Sequence, residues 1–282
     1  HFGSFIGSRS FIGDVTEAEI DGLKDRNTGL TLRESLAQAG FGGRPRRVIE
    51  PDRYVGYLEA HIEQGAELED KGLKIGVVTA IVGSHRFTIS FQGVQNHAGT
   101  TRMAIRKDAG VALVRLAAAI EDRFPSVVGP RTVWTTGRIT LDPGQPSIVP
   151  GGAEMLFQFR DTDPAMLDKL DGELAALIEA ANQGPCTVTV TGRSQSTPRA
   201  MDESFQAALD RAAETRAPGL HQRMPSGAGH DAQVLAEKLP SSMLFVPSIG
   251  GISHHYSENT ADEDLVLGCQ VCADAAAEIL SR

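Results

Sequence analysis

The sequence predicts an α/β domain interrupted by an inserted α+β unit of the ferredoxin-like kind. Three observations lead there. Apolar, β-branched runs alternate with helix-period stripes in the first and last thirds of the chain. Between them the pattern runs β-α-β-β-α-β, the split βαβ order. The polar string Ser194-Gln195-Ser196-Thr197-Pro198 then reads as a loop that returns the chain to the outer domain. The expected division is 1–82 with 195–282 for the outer domain and 83–194 for the insert.

In order, Tyr57 to Ile62 reads as a strand, Ala66 to Lys71 begins a helix after Gly65, and Ile75 to Val82 is a β-branched strand. His85 to Phe91 alternates through Phe87, Ile89 and Phe91, as a half-buried strand does. Asp108 to Phe124 carries a helical stripe of Val111, Leu113, Val114, Ala117, Ala118 and Ile120. Thr132 to Leu141 is strand-like, and Glu154 to Arg160 alternates through Met155, Phe157 and Phe159. Pro164 to Asn182 is a helix with Asp163 as N-cap and proline in its first position. Thr187 to Thr191 closes the insert as a strand. Ser204 to Glu214 and Asp231 to Glu237 read as helices, Ser242 to Val246 as an apolar strand. Asp262 to Leu280 is a long helix whose first acidic residues suit its positive end.

The 282 residues carry a formal net charge of −9, which argues against a phosphate-binding surface and hence against nucleic acid as a partner. No run of apolar residues is long enough for a membrane span, and the first residues lack a signal-peptide pattern. Three cysteines make no disulfide framework, so a cytoplasmic location is expected. Cys269 and Cys272 form a C-x-x-C; their place in an apolar helical stripe favours packing as small hydrophobes over redox or zinc chemistry.

Several residues are equipped for chemistry. His61 sits where a strand runs into Gly65, and His254 sits in the glycine-rich Gly250-Gly251-Ile252-Ser253-His254. Each is a metal ligand or a hydrogen-bonded structural histidine. His97, in the glycine-containing turn Gly93 to Thr101, either offers an N–H to a developing oxyanion or is a solvated turn residue. Arg160 closes a half-buried strand, where it either grips a carboxylate with its planar fork or pairs with Asp161 or Asp163. Ser226 to Asp231 opens a helix whose N–H groups suit an anion; Asp231 capping that helix is the simpler role.

Four strings, taken in order, define a likeness: His-Ile-Glu-Gln-Gly at 61–65, Asn-His-Ala-Gly-Thr-Thr at 96–101, Gly-Ala-Gly-His-Asp-Ala at 227–232 and Gly-Ile-Ser-His at 251–254. Together they resemble the hydantoinase/carbamoylase family of dinuclear zinc amidohydrolases. The resemblance implies a zinc-aminopeptidase-like α/β domain with a ferredoxin-like lid that forms a homodimer. It implies two divalent ions, zinc first, with manganese, cobalt or nickel able to share the ligands. His61 and His254 are the implied metal ligands, His97 the catalytic lid histidine. Gln64, His97, Ser147, Arg160, Gly227, Gly229 and His230 are the implied substrate contacts. The implied reaction is hydrolysis of a linear ureido amide, most simply an N-carbamoyl-L-amino acid, to ammonia, carbon dioxide and the amino acid. Alternatives are an allantoate- or ureidoglycolate-type acid, a dipeptide or acylated amino acid as substrate, or a non-catalytic dimerisation remnant. Two departures bear on the substrate: Ser147 stands where relatives carry asparagine, and Arg102 where they carry proline. The family's His-x-Asp motif, bridging aspartate and Glu-Glu pair are expected before residue 1, since Phe2 to Gly13 resembles the segment that follows that pair.

Overall fold

The structure, a computed structural model, describes residues 2–281; His1 and Arg282 lie outside the described residues. In chain order it runs α1 (Ile6–Phe11), α2 (Glu17–Gly22), α3 (Leu32–Gln38), β1 (Tyr57–Ile62), α4 (Glu67–Asp70), β2 (Ile75–Ile81), β3 (Gly83–Gln92), β4 (Asn96–His97), α5 (Ala109–Arg123), β5 (Val133–Asp142), β6 (Ile148–Val149), β7 (Gly152–Asp161), α6 (Pro164–Ala181), β8 (Thr187–Ser196), β9 (Arg199–Ala200), α7 (Glu203–Arg216), β10 (His221–Ser226), α8 (Asp231–Leu235), β11 (Ser241–Val246) and α9 (Asp262–Leu280). Contacts divide the chain into two units: one holds the residues up to Ile81 and those from Arg199 onward, the other is Val82–Pro198.

The first unit is a mixed sheet in the order β1-β11-β2-β10, with β9 paired to β2. β1 runs parallel to β11, β10 parallel to β2, and β11 antiparallel to β2. Helices cover both faces, so the central strand β11 is buried along its whole length. Leu244 and Val246 meet α7 and α9 through Leu209, Ala213, Val271 and Ala275. Met243 and Phe245 point the other way, into a cluster with Leu68 of α4 and Ala232 of α8. That alternation also governs β1, where Leu58 and Ile62 join the first cluster while Tyr57 packs in the second. Gly268 lets α9 press onto β11: a Cβ there would stand 2.5 Å from Val246 Cγ1.

The second unit is a four-stranded antiparallel sheet in the order β5-β7-β3-β8. With α5 and α6 on one face, this is the strand order of the split βαβ arrangement. Phe87, Ile89 and Phe91 of β3 and Met155, Phe157 and Phe159 of β7 form its core against Leu113, Leu116, Ile120 and Leu170. The period of two turns the intervening residues of these strands, among them Arg86, Thr88, Gln158 and Arg160, to the opposite face. Asp108 and Asp163 cap α5 and α6 through the amides of Val111 and Ala165.

Three expectations need correction. Residues 194–196, read as loop, belong to β8; they lie on an edge strand bonded on one side to β3, which tolerates Ser and Gln where a central strand would not. Asp231 is not the cap of α8: His230 occupies that position, and the Asp231 carboxylate instead accepts from the Ser8 hydroxyl at 2.7 Å. Cys272 packs against the core next to buried Val271, but Cys269, one position past buried Gly268, is turned away from the buried stripe of α9 and is exposed. Among the described residues no helix is long and apolar enough to cross a membrane.

Candidate functional site

In the first unit, the two-residue period of β1 puts Tyr57, Glu59 and His61 on one face, opposite Ser241, Met243 and Phe245 of β11. The loop between β10 and α8 brings His230 onto that same face. The rings of His61 and His230 lie edge to face with centroids 4.6 Å apart, and both pack near Phe245. Glu59 stands beside them, with Oε1 3.8 Å from His230 Nδ1. One ligand-type atom from each of Glu59, His61 and His230 falls within a 4.8 Å cluster.

Hydrogen bonds select the protonation of both rings. His61 Nδ1 lies 2.7 Å from the Ile62 carbonyl, which only accepts, so Nδ1 carries the proton and Nε2 keeps its lone pair. The Ser226 hydroxyl donates to the Ala228 carbonyl at 2.9 Å and accepts the Ala228 N–H at 3.1 Å. Its single proton thus committed, Ser226 receives the Nε2–H of His230 at 2.9 Å, which leaves His230 Nδ1 as an acceptor. Two imidazoles therefore offer bare nitrogens close to one carboxylate, the donor set that a divalent transition ion takes.

Burial sets the charges. Desolvation, and then the nearby His61, push His230 down from 6.5 to about 4, so its ring is neutral near pH 7 and the contact with Glu59 is no ion pair. Burial also raises the Glu59 carboxyl, although the Ala232 N–H it accepts at 2.9 Å and the Tyr57 hydroxyl pull the other way. Glu59 thereby caps the start of α8 from a neighbouring strand. Burial raises the Tyr57 hydroxyl as well.

His254 is not in this cluster. It is exposed, and its backbone N–H donates to Glu258 at 3.0 Å. Glu258 is held low by the Ser253 hydroxyl and that same N–H, and then by the charges of His254 and His61, so the loop carrying His254 is electrostatically within reach of His61. Gln64 and His254 both adopt left-handed backbone, with φ of 58° and 56°, a costly conformation for residues with side chains. The Gln64 N–H is fixed by the Ser248 hydroxyl at 3.0 Å. Gly227 and Gly229 flank Ala228 in the exposed turn before His230.

In the second unit His97 forms the short ladder of β4 with β6. Its Nδ1 accepts the N–H groups of Gly99 at 3.0 Å and Thr100 at 3.2 Å. The neutral ring therefore carries its proton on Nε2, a donor on an exposed turn. Ser147 is adjacent, its carbonyl accepting the Ala98 N–H at 2.9 Å. Arg160 is half-buried on the open face of the sheet, where Gln158 accepts from it at 3.4 Å. Asp161 points to the opposite face and binds the Thr132 hydroxyl and the Asp163 N–H. Burial, and then Arg86, lower the Arg160 guanidinium. A cavity of about 510 Å³ between α5 and α6 is lined by Val111, Arg115, Leu177 and Cys186, and by no candidate residue.

Sequence reasoning missed Glu59, although the alternation Tyr57-Glu59-His61 already places it on the face of His61. Ser226, read as the start of an anion-binding turn, is instead the hydrogen-bond partner of His230.

The model of peptidase family M20/M25/M40 matches residues 3–278. Allantoate amidohydrolase of Escherichia coli is 32% identical over 95% of this chain and 65% of its own length. The N-carbamoyl-L-amino-acid amidohydrolase of Paenarthrobacter aurescens is 32% identical over 94% of this chain and 65% of its own. The chain thus spans about 65% of the length of these curated relatives. A crystal structure of an amidase of the hydantoinase/carbamoylase family from Burkholderia phymatum superposes with a TM-score of 0.84 at 46% identity, covering 99% of this chain and 67% of that one. The chain belongs to peptidase family M20/M25/M40 and, within it, to the hydantoinase/carbamoylase amidases.

Proposed function

We propose that the protein hydrolyses a linear ureido amide with the help of divalent metal, the substrate being an N-carbamoyl-L-amino acid and the products ammonia, carbon dioxide and the amino acid. The observation that carries this reading is the convergence of Glu59, His61 and His230, whose two free imidazole nitrogens and one carboxylate fit a divalent ion. His61 would hold one ion, with His230 and Glu59 beside it, and His254 would serve a second. Zinc is the first choice, and manganese, cobalt and nickel suit the same donors. A metal held there would supply an activated water and polarise the scissile carbonyl.

The remaining roles fall to this chain's own groups. The Nε2–H of His97 is available to the oxygen of the carbonyl under attack, where a fixed donor favours the developing charge over the ground state. Arg160 grips the substrate carboxylate; its partial burial strengthens that contact, because little water competes for the guanidinium. Gln64, Ser147, Gly227 and Gly229 contact substrate. The protein acts in the cytoplasm as a homodimer formed through the 83–194 unit, with a small ureido acid as its partner and no role for nucleic acid or membrane.

An allantoate- or ureidoglycolate-type acid is the second reading, favoured by the similarity to an allantoate amidohydrolase. Ammonia release from N-carbamoyl-L-amino acids, allantoate and ureidoglycolate, measured beside cleavage of dipeptides and acylated amino acids, tests both. Ammonia from the first substrate supports the reading; ammonia from allantoate or ureidoglycolate alone moves it to the second. Dipeptide or acyl cleavage without ammonia overturns both, and no turnover at all favours a non-catalytic protein.

A further inference from the structure

The open face of the second unit's sheet brings two arginines together among uncharged cross-strand neighbours. In the β3/β7 ladder Ser84 pairs with Arg160 and Arg86 with Gln158, so Arg86 and Arg160 are diagonal neighbours on one face. On the outer sides of these strands, Ser194 of β8 pairs with Arg86 and Val133 of β5 with Arg160. No ladder partner of either arginine is therefore acidic. Among the described residues no hydrogen bond or ion pair engages the Arg86 guanidinium, whereas Arg138, further along the sheet, is matched by Glu154. Arg86 is close enough to weigh on Arg160, so an anion beside Arg86 would relieve a like-charge contact.

A second observation points the same way. Ser84 is 8% exposed, and its hydroxyl is buried with no hydrogen-bond partner among the described residues. Its backbone N–H donates to the Ser196 hydroxyl at 3.0 Å, so the orphan is the side chain alone. A buried hydroxyl without an acceptor is costly, and a carboxylate oxygen beside Arg160 is the acceptor it lacks.

We propose that Ser84, Arg86 and Arg160 form an anion cradle that selects ureido acids carrying two carboxylates. The assignment rests on the proposed hydrolysis of a ureido acid held by Arg160, and adds Arg86 as the residue that reads the second acid group. Arg86 is exposed, so its replacement removes a charge without opening the core.

The test compares kcat/KM for N-carbamoyl-L-aspartate and N-carbamoyl-L-alanine, which differ by one carboxylate. The wild-type protein should favour the aspartyl compound by about tenfold or more, as one extra charge-assisted contact allows. Arg86→Met should cut that ratio about tenfold, mainly through KM, and Arg86→Lys should restore part of it. A wild-type preference for the alanyl compound, or a ratio unmoved by Arg86→Met, overturns the proposal. If neither compound releases ammonia, the N-carbamoyl-amino-acid reading fails, and calorimetry with succinate and butyrate judges the cradle alone. Tighter binding of succinate, lost in Arg86→Met, then upholds it; equal affinities overturn it.

Discussion

Acidifying the metal-free protein should expose His230 as a titrating group that folding holds neutral. Its pKa falls from 6.5 to about 4 because the ring is buried and sits beside His61. The sign follows from the direction. Above pH 6.5 the ring is neutral in both states and contributes no pH dependence. As the pH falls below 6.5 the unfolded ring takes up a proton that the folded ring refuses, so stability is lost until the pH reaches the folded value. At 1.36 kcal/mol per pH unit this amounts to roughly 2 kcal/mol between pH 7.5 and pH 5, levelling off near 3 kcal/mol below pH 4. Urea unfolding of chelator-treated protein at pH 7.5, 6 and 5 measures it. His230→Gln keeps an amide N–H for Ser226 and removes the titration, so its stability should fall less than the wild type's by about 2 kcal/mol over that range. Parallel pH profiles for the two proteins would refute the burial argument.

Three further outcomes are expected. Glu59→Ala leaves the Ala232 N–H at the start of α8 without its acceptor and should cost about 1–3 kcal/mol in urea unfolding, with Glu59→Gln recovering part. Gly268→Val forces a side chain into Val246, already 2.5 Å from the first added carbon, and should destabilise by about 1–3 kcal/mol, seen as a lower Tm. Arg160→Ala should raise KM for N-carbamoyl-L-amino acids about tenfold or more, by loss of a half-buried charge-assisted contact; an unchanged KM removes its role as the carboxylate grip.

Where an element buries one face, the sequence announces it. The alternation at Phe87-Ile89-Phe91 and Met155-Phe157-Phe159 is the core of the second unit, and Asp163-Pro164 marks the start of α6. Two Thr-x-x-Glu capping boxes, Thr16 with Glu19 and Thr31 with Glu34, start α2 and α3, yet both helices are too short for an apolar stripe to mark them. β10 is not legible. His221–Ser226 has a proline and little apolar patterning, and it is a strand because β2 offers it a parallel edge. The site divides the same way. His61 and His97 stand in local strings that a reader can recognise, whereas the meeting of Glu59 with His230 depends on a contact 171 positions along the chain, which no local pattern encodes. Left-handed backbone at Gln64 and His254 is also hidden, because residues with a Cβ adopt φ near +60° only a few per cent of the time and no glycine marks the position.

His61 is the residue on which the proposed metal binding rests. Zinc affinity measured by competition with a chromophoric chelator, with elemental analysis of metal per chain, tests it in wild-type protein and His61→Ala. The wild type should retain divalent metal, and the variant should lose about a hundredfold or more in affinity for one ion while keeping its fold by circular dichroism. Equal metal content and equal affinity in the two proteins would contradict it.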